Sequence, residues 1–372
     1  MEETGVRSAY EKWVAEEGVP IIDVPAGTDL LAITEHYPWD RIGARAIFLN
    51  QPVSMRGQVG AFLLEIPLKT STKPIHHMYD EFLYILRGHG KIQVWIAEDN
   101  KVTADWQTHD LLAIPLNAWF QITNLGEEPA KILSVNSGPI IINYFNNTDF
   151  VFHSDYVFGD RFSSQEEYYK NFKEWYSEEG QEAGWVYEAS YFRDVYNRPW
   201  PPKPSVKGKG GHGVTGVNLI TTQGALAAAS SERAPGTYPR AHKHIIPGWF
   251  GITLKGSGLT INWTGDTHLW SKASGKNMYY SHEGTVFAHP DPWWHQHFNT
   301  GDIPYRGMAF VYGAGPKRPV WRGTGRDDLS VAQGGDRILY SEEDPEILRL
   351  FIEELKKVGR KPRPLDEWRR DD

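Results

Sequence analysis

The chain has 372 residues, of which 39 are basic and 47 acidic, giving a net charge of −8, and it has no cysteine. A chain of this length suggests about two domains, or one large one, and buries a core without covalent staples, and the missing thiols exclude disulfide frameworks, iron–sulfur clusters, thiolate metal sites and cysteine nucleophiles. The scattered charges argue against nucleic acid and membrane as partners, and an aromatic content of 13% marks a well-cored globular protein.

The N-terminal stretch MEETGVRSAYEKWVAEEG is acidic, lacks the apolar core of a secretory signal, and predicts a short helix over 9–18. No apolar run is long enough to cross a membrane, so a cytoplasmic location is expected. Between about 45 and 145, short runs rich in Val, Ile, Leu, Phe and Tyr recur every 8–12 residues between Gly, Pro, Asn and Asp. Ala46–Leu49, Gly60–Ile66, Glu81–Leu86, Lys91–Ile96, Leu111–Ile114, Phe120–Thr123 and Ala130–Val135 are the expected strands. That spacing predicts an all-β sandwich or barrel.

Residues 163–180 (SSQEEYYKNFKEWYSEEG) read as a helix with a Ser cap, early glutamates and a Gly stop. The Pro- and Gly-dense stretch 197–216 reads as a linker. Within it GKGGHG (208–213) fits a dinucleotide-loop pattern but follows no strand and opens no helix, so that function is rejected. The short-strand pattern returns from 217 to 315. Residues 344–359 form a terminal amphipathic helix, with Leu348, Phe351, Ile352 and Leu355 on one face and Glu353 spaced to meet Lys357 on the other.

The two β regions are copies of one another. Aligning PLNAWFQITNLG, from Pro115, with PDPWWHQHFNTG, from Pro290, sets Trp119 on Trp294, Gln121 on Gln296, Asn124 on Asn299 and Gly126 on Gly301. Agreement on these residue types at one spacing indicates an internal duplication.

The chemistry concentrates in the second copy. His242 and His244 stand at i, i+2, so on a strand they face the same way, and His295 and His297 repeat the spacing. Converging imidazoles from His242, His244 and His295 suit Fe(II), Mn(II), Ni(II) or Zn(II) with positions left open for substrate. Trp249, Trp293 and Trp294 are candidates either for an aromatic pocket wall or for the core.

These residues resemble the cupin superfamily. Gly236, His242, His244 and Gly256 match its first motif, and Gly284, Pro290, His295 and Asn299 its second. The resemblance implies a bicupin, that is, two double-stranded β-helix (jelly-roll) barrels with a few peripheral helices. The implied division is an N-terminal arm (1–44), a first barrel (45–150), a helix and linker (151–216), a second barrel (217–320) and a C-terminal helix and tail (321–372).

Gly248 and Trp249 stand where the family carries a glutamate ligand. A three-histidine site is similar to that of the ring-cleaving gentisate and salicylate dioxygenases. This similarity implies Fe(II) on His242, His244 and His295, with His297 as acid or base. It also implies a small-molecule substrate contacting Trp249, Trp294, Gln296 and Arg306, with O2 as co-substrate, and a dimer or tetramer. The substrate-holding arginine of those enzymes is absent from its usual place, IIPGWFG; Arg240 and Arg306 are candidate replacements, with a surface or strand-end charge as the other reading of each. The leading expectation is an O2-dependent C–C bond-cleaving enzyme. The alternatives are a metal-dependent isomerase, lyase or hydrolase, and a non-catalytic binding protein.

The first barrel reads as metal-free. Counting back from Gly90 pairs His76 with His244, Pro74 with His242 and Phe120 with His295. A displaced site on His76 or His77 with Glu81 and Gln121 is the alternative.

Overall fold

The structure is a computed structural model that describes residues 7–177, 184–201, 214–221, 224–243, 248–313, 326 and 329–371. In the first half a helix, α1 (Ala9–Glu17), precedes strands β1 (Ile21–Asp23), β2 (Tyr37–Trp39), β3 (Ala44–Asn50), β4 (Gly60–Ile66), β5 (Glu81–Arg87), β6 (His89–Trp95), β7 (Val102–Gln107), β8 (Leu111–Ile114), β9 (Trp119–Asn124) and β10 (Ala130–Asn136). Two helices follow, α2 (Gly138–Phe145) and α3 (Thr148–His153). The second half holds β11 (Phe172–Ser177), β12 (Gly184–Ala189), β13 (Tyr191–Phe192), β14 (Val214–Ile220), β15 (Leu226–Arg233), β16 (Trp249–Lys255), β17 (Gly258–Trp263), β18 (Lys276–Ser281), β19 (Val286–Phe287), β20 (Trp294–Asn299) and β21 (Tyr305–Tyr312). Helices α4 (Pro345–Lys357) and α5 (Leu365–Trp368) close the chain. None of the described helices is long and apolar enough to cross a membrane.

The duplication is complete at the level of strand order. The run β3-β4-β10-β5-β8 in one large sheet is matched by β14-β15-β21-β16-β19 in the other, and the small sheet β7-β6-β9 by β18-β17-β20. Each half is therefore a jelly-roll pair of sheets. Both halves use the same turn chemistry. Gly88 and Gly256 take φ of +109° and +76°, where a side chain would be strained. Asn124 donates to the carbonyls of Ile66 and Glu128, and Asn299 to those of Arg233 and Ile303. Gly126 and Gly301 then donate their backbone N–H to Oδ1 of those same asparagines.

The two large sheets pack face to face. Along β5, Leu83 and Ile85 point into the first barrel while Phe82, Tyr84 and Leu86 join Phe250, Ile252, Leu254, Met308 and Phe310 between the barrels. Burial on both faces explains why EFLYILR is apolar almost throughout. The halves also exchange edge segments. Leu30 donates to the Gly284 carbonyl and Val286 to that of Thr28, so the N-terminal arm lies along β19. Reciprocally, β13 pairs with β8, and Val195 donates to the His109 carbonyl.

Two sequence expectations are corrected. The helix over 163–180 is a single 3-10 turn, Glu166–Tyr169, followed by β11. Phe172, Trp175 and Tyr176 favour a strand that can pair with β12, and this pairing overrides the local capping signals. Residues 178–183 lie outside the described set, as do most of the 197–216 linker, including GKGGHG, and His244. The C-terminal helix forms as expected, but its buried stripe is Ile347, Phe351 and Leu355, and Lys357 meets Glu354 rather than Glu353. It covers the outer face of the small sheet, with the Phe351 ring 5.2 Å from Phe298 and 4.9 Å from Tyr238.

Candidate active site in the second barrel

Because the halves share register, each inward position of one barrel has a counterpart in the other. β10 pairs Ala130 with Ile66, and β21 pairs Tyr305 with Arg233. β6 pairs Ile92 with Ile122 and Val94 with Phe120. β17 pairs Thr260 with His297 and Asn262 with His295. The apolar set Ile66, Ile92, Val94, Phe120 and Ile122 is thus replaced by Arg233, Thr260, Asn262, His295 and His297, all buried. One scaffold carries two linings, and the first shows that the fold needs none of these polar groups. Desolvating them is unfavourable, which makes the second barrel the candidate site.

His242 and His295 face each other across an antiparallel bridge, exchanging N–H···O bonds of 3.3 and 3.0 Å. Their rings meet edge to face at 4.3 Å. The His242 Nδ1 lies 3.3 Å from the Arg240 carbonyl, which can only accept, so Nδ1 is the donor there. Burial, reinforced by the neighbouring His242, holds His295 well below the usual histidine range, so it is neutral at pH 7. His297 lies on the same face of β20, with Nδ1 2.8 Å from the Thr260 hydroxyl.

A histidine that sequence reasoning missed joins them. The His289 ring stacks on His295 at 3.6 Å and 11°, and lies 4.5 Å from Trp249. In the first barrel Glu81 pairs with Ile114, and by the same register Trp249 stands opposite His289. The second barrel thus sets an imidazole at the position of Ile114 and a tryptophan at that of Glu81. Its signal was the third histidine in HPDPWWHQH, which the motif spacing ignores.

The donor set in the second barrel is imidazole, which suits a divalent transition metal in kind. His242 and His295 turn toward each other, and His244 lies outside the described residues. His289 lies parallel to His295, so the two rings do not aim at one point. Among the described residues no three His, Asp or Glu side chains are placed to hold a metal.

Three expected substrate contacts are corrected. Trp294 and Gln296 lie on the outer face of β20, away from the histidines. Trp294 packs 6.4 Å from Trp263, and Gln296 donates to the Pro239 carbonyl at 2.7 Å and to Glu343 at 3.0 Å. Gln121 makes the matching bond to the Thr72 carbonyl in the barrel without the histidines, so this glutamine is a brace of the fold. Arg306 faces the other barrel, donating to Glu232 at 2.5 and 2.8 Å and to the Val195 carbonyl at 2.5 Å. Arg240 is also engaged elsewhere, with Asp371 at 3.2 Å. Trp249 does face inward, packed 5.7 Å from Phe287.

The first barrel closes on itself. Ile75 bridges Phe120 as His242 bridges His295, so Ile75, not Pro74, is the counterpart of His242, and by count His77, not His76, that of His244. His77 Nε2 lies 3.0 Å from Glu81, whose other oxygen accepts from Ser134, while His76 is held by Asn117 at 3.0 Å.

No family model matches the chain, and no curated protein matches it. Among solved structures it is similar to oxalate decarboxylase from Bacillus subtilis, with 14% identity over 78% of this chain and 76% of that one, at a TM-score of 0.46. A second oxalate decarboxylase structure, solved for its substrate binding mode, shows 14% identity over 78% and 77% at a TM-score of 0.45. On its own strand order and its duplicated turns, the chain has the two-barrel architecture of a bicupin.

Proposed function

We propose that the second barrel is the active site of a metal-dependent enzyme acting on a small molecule, with lyase-type bond cleavage as the reaction. The observation that carries this reading is the exchange of five apolar lining residues for polar ones around His242 and His295, on a scaffold of the same strand order. His242, His244 and His295 would hold the ion, with Mn, Fe, Ni and Zn all compatible with imidazole donors. Held by these imidazoles, a divalent ion would supply Lewis-acid polarisation of a substrate oxygen. Lewis-acid chemistry is open to any of these ions, whereas O2-dependent cleavage needs a redox-active one, so the histidine set suits the lyase reading whichever ion it takes.

Within this reading His297 moves the proton. Thr260 holds its Nδ1 and so fixes its ring plane. Trp249 and Phe287 wall the chamber and exclude water. The test is metal analysis of the purified protein with turnover of small organic acids, aerobically and anaerobically. Bound metal with O2-independent release of CO2 or another fragment supports the proposal. Strict dependence on O2 uptake moves the protein to the dioxygenases, and no bound metal removes the enzyme reading.

A further inference from the structure

Arg233 ends β15 with its side chain on the face that looks into the second barrel. Its neighbours point the other way, Ser230 accepting from the Trp200 indole at 3.1 Å and Glu232 held by Arg306. Arg233 is 8% exposed. Its Nη1 makes one long bond of 3.4 Å to the Ser231 carbonyl, and the guanidinium lies 5.5 Å from the Tyr305 ring centre. Among the described residues Nε has no hydrogen-bond partner and no carboxylate lies within ion-pair distance. The nearest acid in sequence, Glu232, is on the opposite face and already paired.

A buried guanidinium without a counter-ion is costly unless something completes it. The fold does not demand it, because Ile66 occupies the same register position in the first barrel and is fully buried there. The cation also borders the histidine chamber. A Cβ built on Gly307 would lie 3.8 Å from Arg233 Nη1 and 3.1 Å from Phe287, whose ring is 5.7 Å from that of His297.

We propose that Arg233 is the anion anchor of the second barrel, taking the carboxylate of a small organic acid on its planar fork while the remainder of the molecule extends toward His295 and His297. A carboxylate matches the guanidinium in charge and in bidentate geometry, and within the dry barrel the pair is strong. This names the substrate class and rests on the reading of this barrel as the active site.

The test is calorimetric titration of the full chain with oxalate, malonate and benzoate, using oxamide and benzamide as neutral controls, for wild type, Arg233→Ile and Arg233→Lys. Metal content and melting temperature are measured on each. At least one acid binds wild type and its amide does not. Arg233→Ile, which installs the residue of the first barrel, weakens that binding roughly 10–100-fold, the worth of a charge-assisted bond. Arg233→Lys retains part of it. Arg233→Ile keeps its metal and melts no lower than wild type without ligand, since a lone buried charge is removed.

Equal acid binding in wild type and Arg233→Ile overturns the anchor, as does a wild type that takes up none of the three acids. A lowered melting temperature with unchanged binding overturns it too, making Arg233 structural. A wild type without metal that still loses acid binding in Arg233→Ile overturns the metal reading and leaves the anchor standing.

Discussion

Phe120 and His295 occupy one position in two copies of the same barrel, each exchanging backbone hydrogen bonds with the segment that precedes its large-sheet strand, at Ile75 and at His242. The pair is a natural control, because the scaffold already accommodates an apolar ring there. His295→Phe is therefore expected to remove bound metal while leaving the far-ultraviolet circular dichroism unchanged. His244→Ala should do the same. Elemental analysis decides the point, and full metal occupancy in either variant would place the ion elsewhere.

For His297 the expected effect is on rate. His297→Asn or His297→Phe should keep the metal and lower turnover by roughly 10²–10⁴-fold, the contribution of a general acid or base. Thr260→Val, which removes the 2.8 Å bond to Nδ1, should lower turnover by a smaller factor. Metal loss in the His297 variants would identify a ligand, and unchanged turnover a packing residue.

In the first barrel, His76→Ala should leave metal content and turnover at the wild-type level. His77→Ala should do so too but lower stability by about 1–3 kcal/mol, because the buried Glu81 side chain loses its hydrogen-bond partner. Denaturant titration beside metal analysis separates the two effects. Loss of metal in either variant would reveal a second working site.

Behind β20, Glu343 accepts from the Tyr238 hydroxyl at 2.7 Å, Gln296 at 3.0 Å and Arg369 at 2.9 Å. Glu343→Ala strands three donors and should cost about 3–5 kcal/mol. Gln296→Ala removes one brace and should cost about 1–2 kcal/mol, with metal content unchanged. A large loss of turnover in Gln296→Ala at wild-type stability would return that residue to the substrate site.

Much of the fold was legible in the sequence because its signals are local. Gly60–Ile66 and Leu111–Ile114 are strands at the expected limits, since turn residues bound them on both sides. The duplication was legible because the Asn-x-Gly turn requires those residue types in both copies. The 163–180 helix failed because β12, far from its capping serines, decides the fate of that stretch. Trp294 and Gln296 were misplaced because motif spacing does not say which face of β20 is covered, and α4 lies beyond the motif. His289 and Arg233 stayed hidden for a related reason. Their meaning comes from comparison with Ile114 and Ile66, and that pairing exists only once the strands are in register.

The exchanged edge segments also constrain how the chain is made. During synthesis the open edge of β8 waits until Tyr191 and Phe192 emerge, and the arm around Thr28 waits far longer, until Val286 does. A ribosome-bound first half therefore carries a loose arm and an uncapped strand, both apt to pair with a neighbouring nascent chain. Cutting the gene between the copies would yield two fragments that each lack a staple held by the other. Such fragments should be poorly soluble when made separately and should recover when co-expressed.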